Sequence, residues 1–146
     1  MEHLLTLLDE AFDKKSWHGP NLKGAIRGLS AAQAAWRPAP GRHNIWELVL
    51  HAAYWKYVVR RKLTGARRRS FAVPGSNWFA RTGEPNVATW KKDVALLAAE
   101  HKQLRQAVAG LSAANDDQLK LIRGAAAHDL YHAGQIQLLK RLCPLA

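Results

Sequence analysis

Two histidines, His128 and His132, sit four residues apart in the stretch AAAHDLYHAGQIQLLKR, residues 125–141. On a helix that spacing stacks both imidazoles on one face, where they can reach a single ion. A third histidine, His51, lies in the helical pattern NIWELVLHAAYWK, residues 44–56. Leaving a polar group unsatisfied in a helix seam costs about 1–3 kcal/mol, so three imidazoles in the seams of one small chain call for a reason. A divalent metal held by three histidines is one. Three protein ligands leave coordination positions open to water or substrate, as catalytic sites do. Imidazole ligands accept zinc, nickel, copper or iron, and zinc or nickel is the expectation here. The alternative is three core histidines bonded to their neighbours.

Other side chains fall close to this pattern. Asp129 follows His128 in H-D-L-Y-H, where zinc proteases carry the Glu of H-E-x-x-H as general base. The carboxylate is one methylene shorter and turned away from His128, so orienting a histidine suits it better than acting as a base. Gln135 stands one turn beyond His132, placed either to bond a metal-bound water or to brace the helices. Trp55, one turn after His51, is placed to shape an apolar pocket. His101, in the seam of another helix, is a weaker candidate for a fourth ligand, and packing explains it as well. His18 is near a loop with no spacing to support a role.

The elements that must position these residues are helices. Residues 2–14 carry Leu4, Leu5, Leu8 and Phe12 on one side. A shorter piece fits residues 20–28, and Ser30 with Gln33 makes a capping box before two prolines. Asn44 and Glu47 make a second capping box, predicting a long helix that runs to Thr64 and stops at Gly65. Further helices fit residues 86–111 and 118–142, and no segment reads as a strand. About six residues join the last two helices, which makes them antiparallel neighbours. About twenty separate the two before, more than a hairpin needs. The expectation is an all-α four-helix bundle with a long crossover between helices two and three, which run parallel. His51 then lies roughly 10 Å from the start of its helix and His132 roughly 15 Å from the end of its own, at comparable depth if the two are antiparallel. The last helix reads at steps of four and three as Leu121, Ala125, His128, His132, Gln135, Leu139 and Leu142, and the second as Leu48, His51, Trp55 and Val58, both coiled-coil-like seams.

The 146 residues suit one domain, 1–146, with a sizeable core. No apolar run is long enough for a membrane span, and the acidic N-terminus has no signal-peptide pattern. The one cysteine, Cys143, has no partner in the chain, which suits a reducing cytoplasm. The formal net charge is +11, with Lys and Arg concentrated in KYVVRRKLTGARRR, residues 56–69. Such charge raises nucleic acid as a partner, but no helix-turn-helix, RNP or finger motif accompanies it. A solvated helix end is the plainer account of the basic run.

The pieces WHGPNLKGAIRGL, AAWRPAPGRHNIWELVLHAAYWK and AAAHDLYHAGQIQLLKRL resemble the DinB/YfiT-like superfamily. The most specific match is H-x-x-x-H followed by Gly-Gln-Ile, with the earlier histidine in W-x-x-x-x-H. The resemblance implies a four-helix bundle with a long crossover, and a divalent metal held by His51, His128 and His132. Several members of that superfamily are metal-dependent S-transferases or isomerases that use low-molecular-weight thiols, and many have no known activity. The expectation is therefore a metal-dependent enzyme of thiol S-transferase type acting on a small-molecule substrate, with the basic segment 56–69 attracting an anionic thiol. A metal-dependent hydrolase and a non-catalytic metal-binding or interaction module are the alternatives. Pairing as a homodimer through exposed helix faces is compatible with the pattern.

Overall fold

The computed structural model describes residues 1–67 and 71–145. It is all-α. Six helices follow in order: α1 (Glu2–Phe12), α2 (Leu22–Ile26), α3 (Ala31–Ala35), α4 (Ile45–Thr64), α5 (Val87–Ala109) and α6 (Asp116–Leu142), with no strand among the described residues. No helix of the described residues is long and apolar enough to cross a membrane.

Local chemistry sets the helix ends. Asn44 accepts from the Glu47 backbone N–H while the Glu47 carboxylate accepts from the Asn44 backbone N–H, the expected capping box. At the other end Gly65 takes the left-handed conformation, φ 65°, open to glycine without steric cost. Asn86 caps α5. The helix α6 begins two residues earlier than periodicity placed it, because Asn115 and Gln118 form another capping box. Asp116 and Asp117 in its first turn and Lys140 and Arg141 in its last complement the helix dipole.

The four long helices close a ring in which α1 packs on α5 and α6, and α4 on those same two. Contacts give the directions. Trp46 meets Trp90 and Asp93, and Lys56 further along α4 meets His101, so α4 and α5 run parallel. His51 meets both His128 and His132, while Lys56 meets Asp129 and, further along α4, Val59 and Leu63 share a core cluster with Ile122, so α6 runs against α4. Residues 65–86 supply the crossover that parallel α4 and α5 require. Its described part is clamped down: Phe71 and Phe79 are buried against Tyr54, and Arg81 makes a bidentate pair with the buried Asp93.

The core is two apolar clusters with a polar layer between them. One cluster holds Phe12, Trp46, Leu50, Leu97 and Ile136, and the other Leu8, Val59, Leu104 and Ile122. Along α5 and α6 the boundary falls at His101 and Asp129. The seams therefore differ from the expected ones. The most buried positions of α6 are Ile122, Ala126, Asp129, Ala133 and Ile136, one step round from the line through His128 and Gln135. On α4 the deepest line passes through Ile45, Val49, Ala52 and Lys56, and Trp55 is 37% exposed. The reason is size. Alanines let helices approach closely, so an alanine-rich face with one aspartate is the buried one, although few large apolar side chains fill it.

Candidate metal centre

That displacement puts the three histidines at the margin of the core, where α4 and α6 border a cleft of about 560 Å³. His51 projects from α4, and His128 and His132 from α6. Their Nε2 atoms converge: His128 Nε2 lies 3.1 Å from that of His51 and 3.0 Å from that of His132. One ligand atom from each lies within 4.8 Å of the others. Metal–nitrogen bonds of roughly 2.0–2.1 Å put two ligands of one ion roughly 3.0–3.4 Å apart, so the spacing suits a shared ion.

The hydrogen bonds on the far sides of the rings fix what the converging atoms are. His51 Nδ1 is 2.8 Å from the backbone oxygen of Asn77, and His132 Nδ1 is 2.7 Å from Gln135 Oε1. A carbonyl oxygen only accepts, so each Nδ1 carries the proton and each Nε2 presents a lone pair. His128 Nε2 faces both lone pairs, and a single proton on it can point squarely at only one. A cation at the focus engages all three. Burial, aided by the charges of neighbouring histidines, pushes His51 down to about 4 and His128 to about 3. It lowers His132 as well, against the opposing bond to Gln135. The rings are neutral at pH 7, the form that ligates metal.

Residues the sequence did not single out hold this arrangement. Asn77 sits in the crossover at φ 64°, in the left-handed region. There its backbone oxygen meets His51 while its side-chain oxygen accepts from Trp55 Nε1 at 2.9 Å. Strain of this kind in a non-glycine residue persists where the surroundings enforce it. Next to it, Trp78 stacks on His51 with centroids 3.9 Å apart and on His43 at 3.6 Å. His43 Nδ1 bonds Glu47, whose carboxylate also accepts from both terminal guanidinium nitrogens of Arg37. Burial alone would raise the Glu47 carboxyl, but Arg37, His43 and the Asn44 amide together bring it below its ordinary value. A continuous line from Arg37 through Glu47, His43 and Trp78 thus backs His51. The only sequence sign of it was the Asn44–Glu47 capping box. Leu48, Tyr131 and Leu139 give the cleft apolar walls, and Arg42 and His43 stand at its edge.

The remaining expected residues are placed as follows. Gln135 lines the cleft and bonds His132. Asp129 makes no hydrogen bond to a histidine of the centre among the described residues. It is fully buried and pairs with Lys56, itself 2% exposed, because it faces the middle of the bundle where only a cation of the chain can meet it. Burial pushes its carboxyl up and Lys56 pulls it back. Trp55 borders a neighbouring cleft and reaches the centre through Asn77. His101 stands apart, stacked on Phe12 and 3.3 Å from Lys56 Nζ. Burial first, then Lys56, hold it at about 3, so it is neutral and its 4.0 Å approach to Asp9 is no ion pair. His18 is exposed and does not line the cleft. Of the basic run 56–69, Lys56 is buried and Arg60 pairs with Glu100, while Arg68 and Arg69 lie outside the described residues.

The three histidines can hold a metal ion, and the bundle brings them together from the two helices that the resemblance assigned. No curated protein and no solved structure matches the chain. A family model, that of the DinB superfamily, matches residues 16–136, from the approach to α2 through the centre's last histidine. With that span, the chain belongs to the DinB superfamily.

Proposed function

We propose that this protein is a metal-dependent enzyme of the thiol S-transferase type, with His51, His128 and His132 holding zinc or nickel beside the cleft. The observation that carries the reading is the convergence of three neutral rings, with the Nε2 atoms of His51 and His132 at 3.1 and 3.0 Å from that of His128. Two of those rings have their tautomer fixed from behind by Asn77 and Gln135. A bound divalent ion supplies positive charge that stabilises a thiolate.

The chain's own residues do the rest. Asn77 and Trp78 hold the ring of His51, and Gln135 that of His132, so these two rings are oriented before an ion binds. Leu48 and Leu139 give the site an apolar side. Arg42 at the edge offers its charge to a carboxylate of an anionic thiol. An open coordination position is supported by the absence of a fourth side chain among the described residues. The Gln135 oxygen is engaged by His132, and His101 is held by Lys56. That weighs against a closed, purely structural site.

The test is elemental analysis of tag-free protein beside His51→Ala and His132→Ala, followed by assays of the loaded protein with small thiols and electrophiles. Near-stoichiometric metal lost in both variants, with thiol-dependent turnover, is the expected result. Turnover without thiol would make the protein a hydrolase. Metal without turnover of either kind would leave a binding module, and no metal after reconstitution would end the proposal.

A further inference from the structure

We propose a second binding site in this protein, for a small organic anion that carries a flat ring, in the cleft between the C-terminal half of α4 and residues 71–75 of the crossover. The cleft measures about 680 Å³, more than the one at the histidines. Among the described residues Arg61 and Lys62 are the cations that line it, and no acidic residue does. Its other walls include the aromatic rings of Tyr54, Trp55, Tyr57 and Phe71.

Arg61 is the residue that asks for a ligand. Among the described arginines only Arg60 and Arg61 are half-buried, and the others are exposed. Arg60 is paired with Glu100 at 3.1 Å and lies over the Tyr57 ring. Even the exposed Arg37, Arg81 and Arg105 each have a carboxylate. Arg61 has no carboxylate and no hydrogen-bond acceptor for its side chain among the described residues, and its Nε is shut off from solvent. The Nε–H has lost water without gaining a partner, a costly state that native structures rarely keep without a use. An anionic head group in the cleft would give the guanidinium the counter-charge it lacks, with Lys62 adding charge.

The ring requirement comes from Trp55. It is 37% exposed at the wall of this cleft, and an indole face there gains by stacking a flat partner. Its N–H is already committed to Asn77, so the ring face and not the polar tip is on offer. Carboxylate and phosphate heads both fit the guanidinium fork, and the experiment separates them. The site rests on its own geometry and requires no metal at the histidines.

Arg61 Nε–H gives an individual signal in a proton–nitrogen correlation spectrum, assigned by its loss in Arg61→Lys. The full-length protein would be titrated with phenyl phosphate, benzoate and inorganic phosphate. The expected result is a shift of the Arg61 signal with at least one aryl anion, which binds about tenfold or more tightly than inorganic phosphate. The tighter aryl anion names the head group. Arg61→Lys keeps the charge but loses the fork, and its affinity by calorimetry should fall by about tenfold or more; Lys62→Gln, an exposed change, should weaken binding by a smaller factor. An unchanged amide spectrum elsewhere shows that the variants fold. No shift with either aryl anion, equal affinity for inorganic phosphate, or undiminished binding by Arg61→Lys would each overturn the proposal.

Discussion

Replacing Lys56 by Met leaves Asp129 with no partner at the middle of the bundle. The two side chains form an ion pair that is shielded almost completely, at 2% and 0% residue exposure. Asp129 Oδ1 has no hydrogen-bond partner, so the contact of Oδ2 with Lys56 is what satisfies the carboxylate. Removing one member of such a pair costs about 3–5 kcal/mol, because the other charge stays buried. In a chain of this size that corresponds to a drop in Tm of roughly 10–15 °C. Removing both charges is a different matter, since the desolvation cost disappears with them. Lys56→Met combined with Asp129→Leu should therefore lie within about 1–2 kcal/mol of the parent. Urea denaturation of the parent, the two single variants and the double variant, all metal-free, gives the coupling energy directly, expected at about 4 kcal/mol or more from those single and double effects. Single effects that sum to the double effect within about 0.5 kcal/mol would refute the idea that the pair acts as a unit.

Acid stability should report His101. Held at about 3 by burial and by Lys56, with Asp9 opposing and Arg105 and Lys23 adding to the lowering, it stays neutral while the unfolded chain takes up a proton near 6.5. Stability is then lost as pH falls below about 6.5, by about 2 kcal/mol between pH 7 and 5 for this one group; in His101→Gln the mean slope over that range should shrink by about 1 kcal/mol per pH unit. An unchanged slope would mean that His101 is charged or exposed. Asn77→Gly keeps the backbone oxygen that His51 uses and suits φ 64°, so metal affinity by competitive titration should be nearly retained. Asn77→Val opposes that backbone conformation and should lower affinity by about tenfold, the size of effect seen when a ligand's orienting partner is lost. A divalent ion at a hundred times its Kd should stabilise the protein by about 2.7 kcal/mol in a melting assay, and His128→Ala should abolish that gain.

Much of this architecture is legible in the sequence because short-range rules govern it. His128 and His132 are related by one helical turn, Asn44 and Glu47 by one capping box, and the length of the crossover fixes the parallel run of α4 and α5. Other features need three dimensions. Asn77 and Trp78 lie in a segment without periodicity, and nothing local tells that their partner is His51. Asp129 reads as a polar residue beside a histidine. Its actual partner, Lys56, lies on another helix inside a basic run that composition marks as solvated. The alanine-rich face of α6 is the buried one because close approach, not apolar content, decides which face packs. For the same reason Trp55, the largest apolar residue of its stretch, emerges at the surface. The capping box at Asn115 and Gln118 starts α6 ahead of its apolar pattern, so periodicity alone places the helix start too late.

A long connection between helices is ordinarily where a bundle tolerates new termini, tags or grafted loops. This crossover is an exception. Asn77 and Trp78 bear on His51, Phe71 and Phe79 are packed on Tyr54, and Arg81 is fastened to Asp93. An interruption there removes a wall and a brace of the centre together, while the helices that carry the ligands remain intact. The short link at residues 110–115 touches none of these groups and is mostly exposed. A circular permutant opened in that link should fold and keep its metal affinity, whereas one opened at residues 75–76 should fold as a helical bundle and bind metal poorly. The connection that looks most expendable in this chain is therefore the one under the tightest functional constraint, and variation among related chains should concentrate in the shorter turns instead.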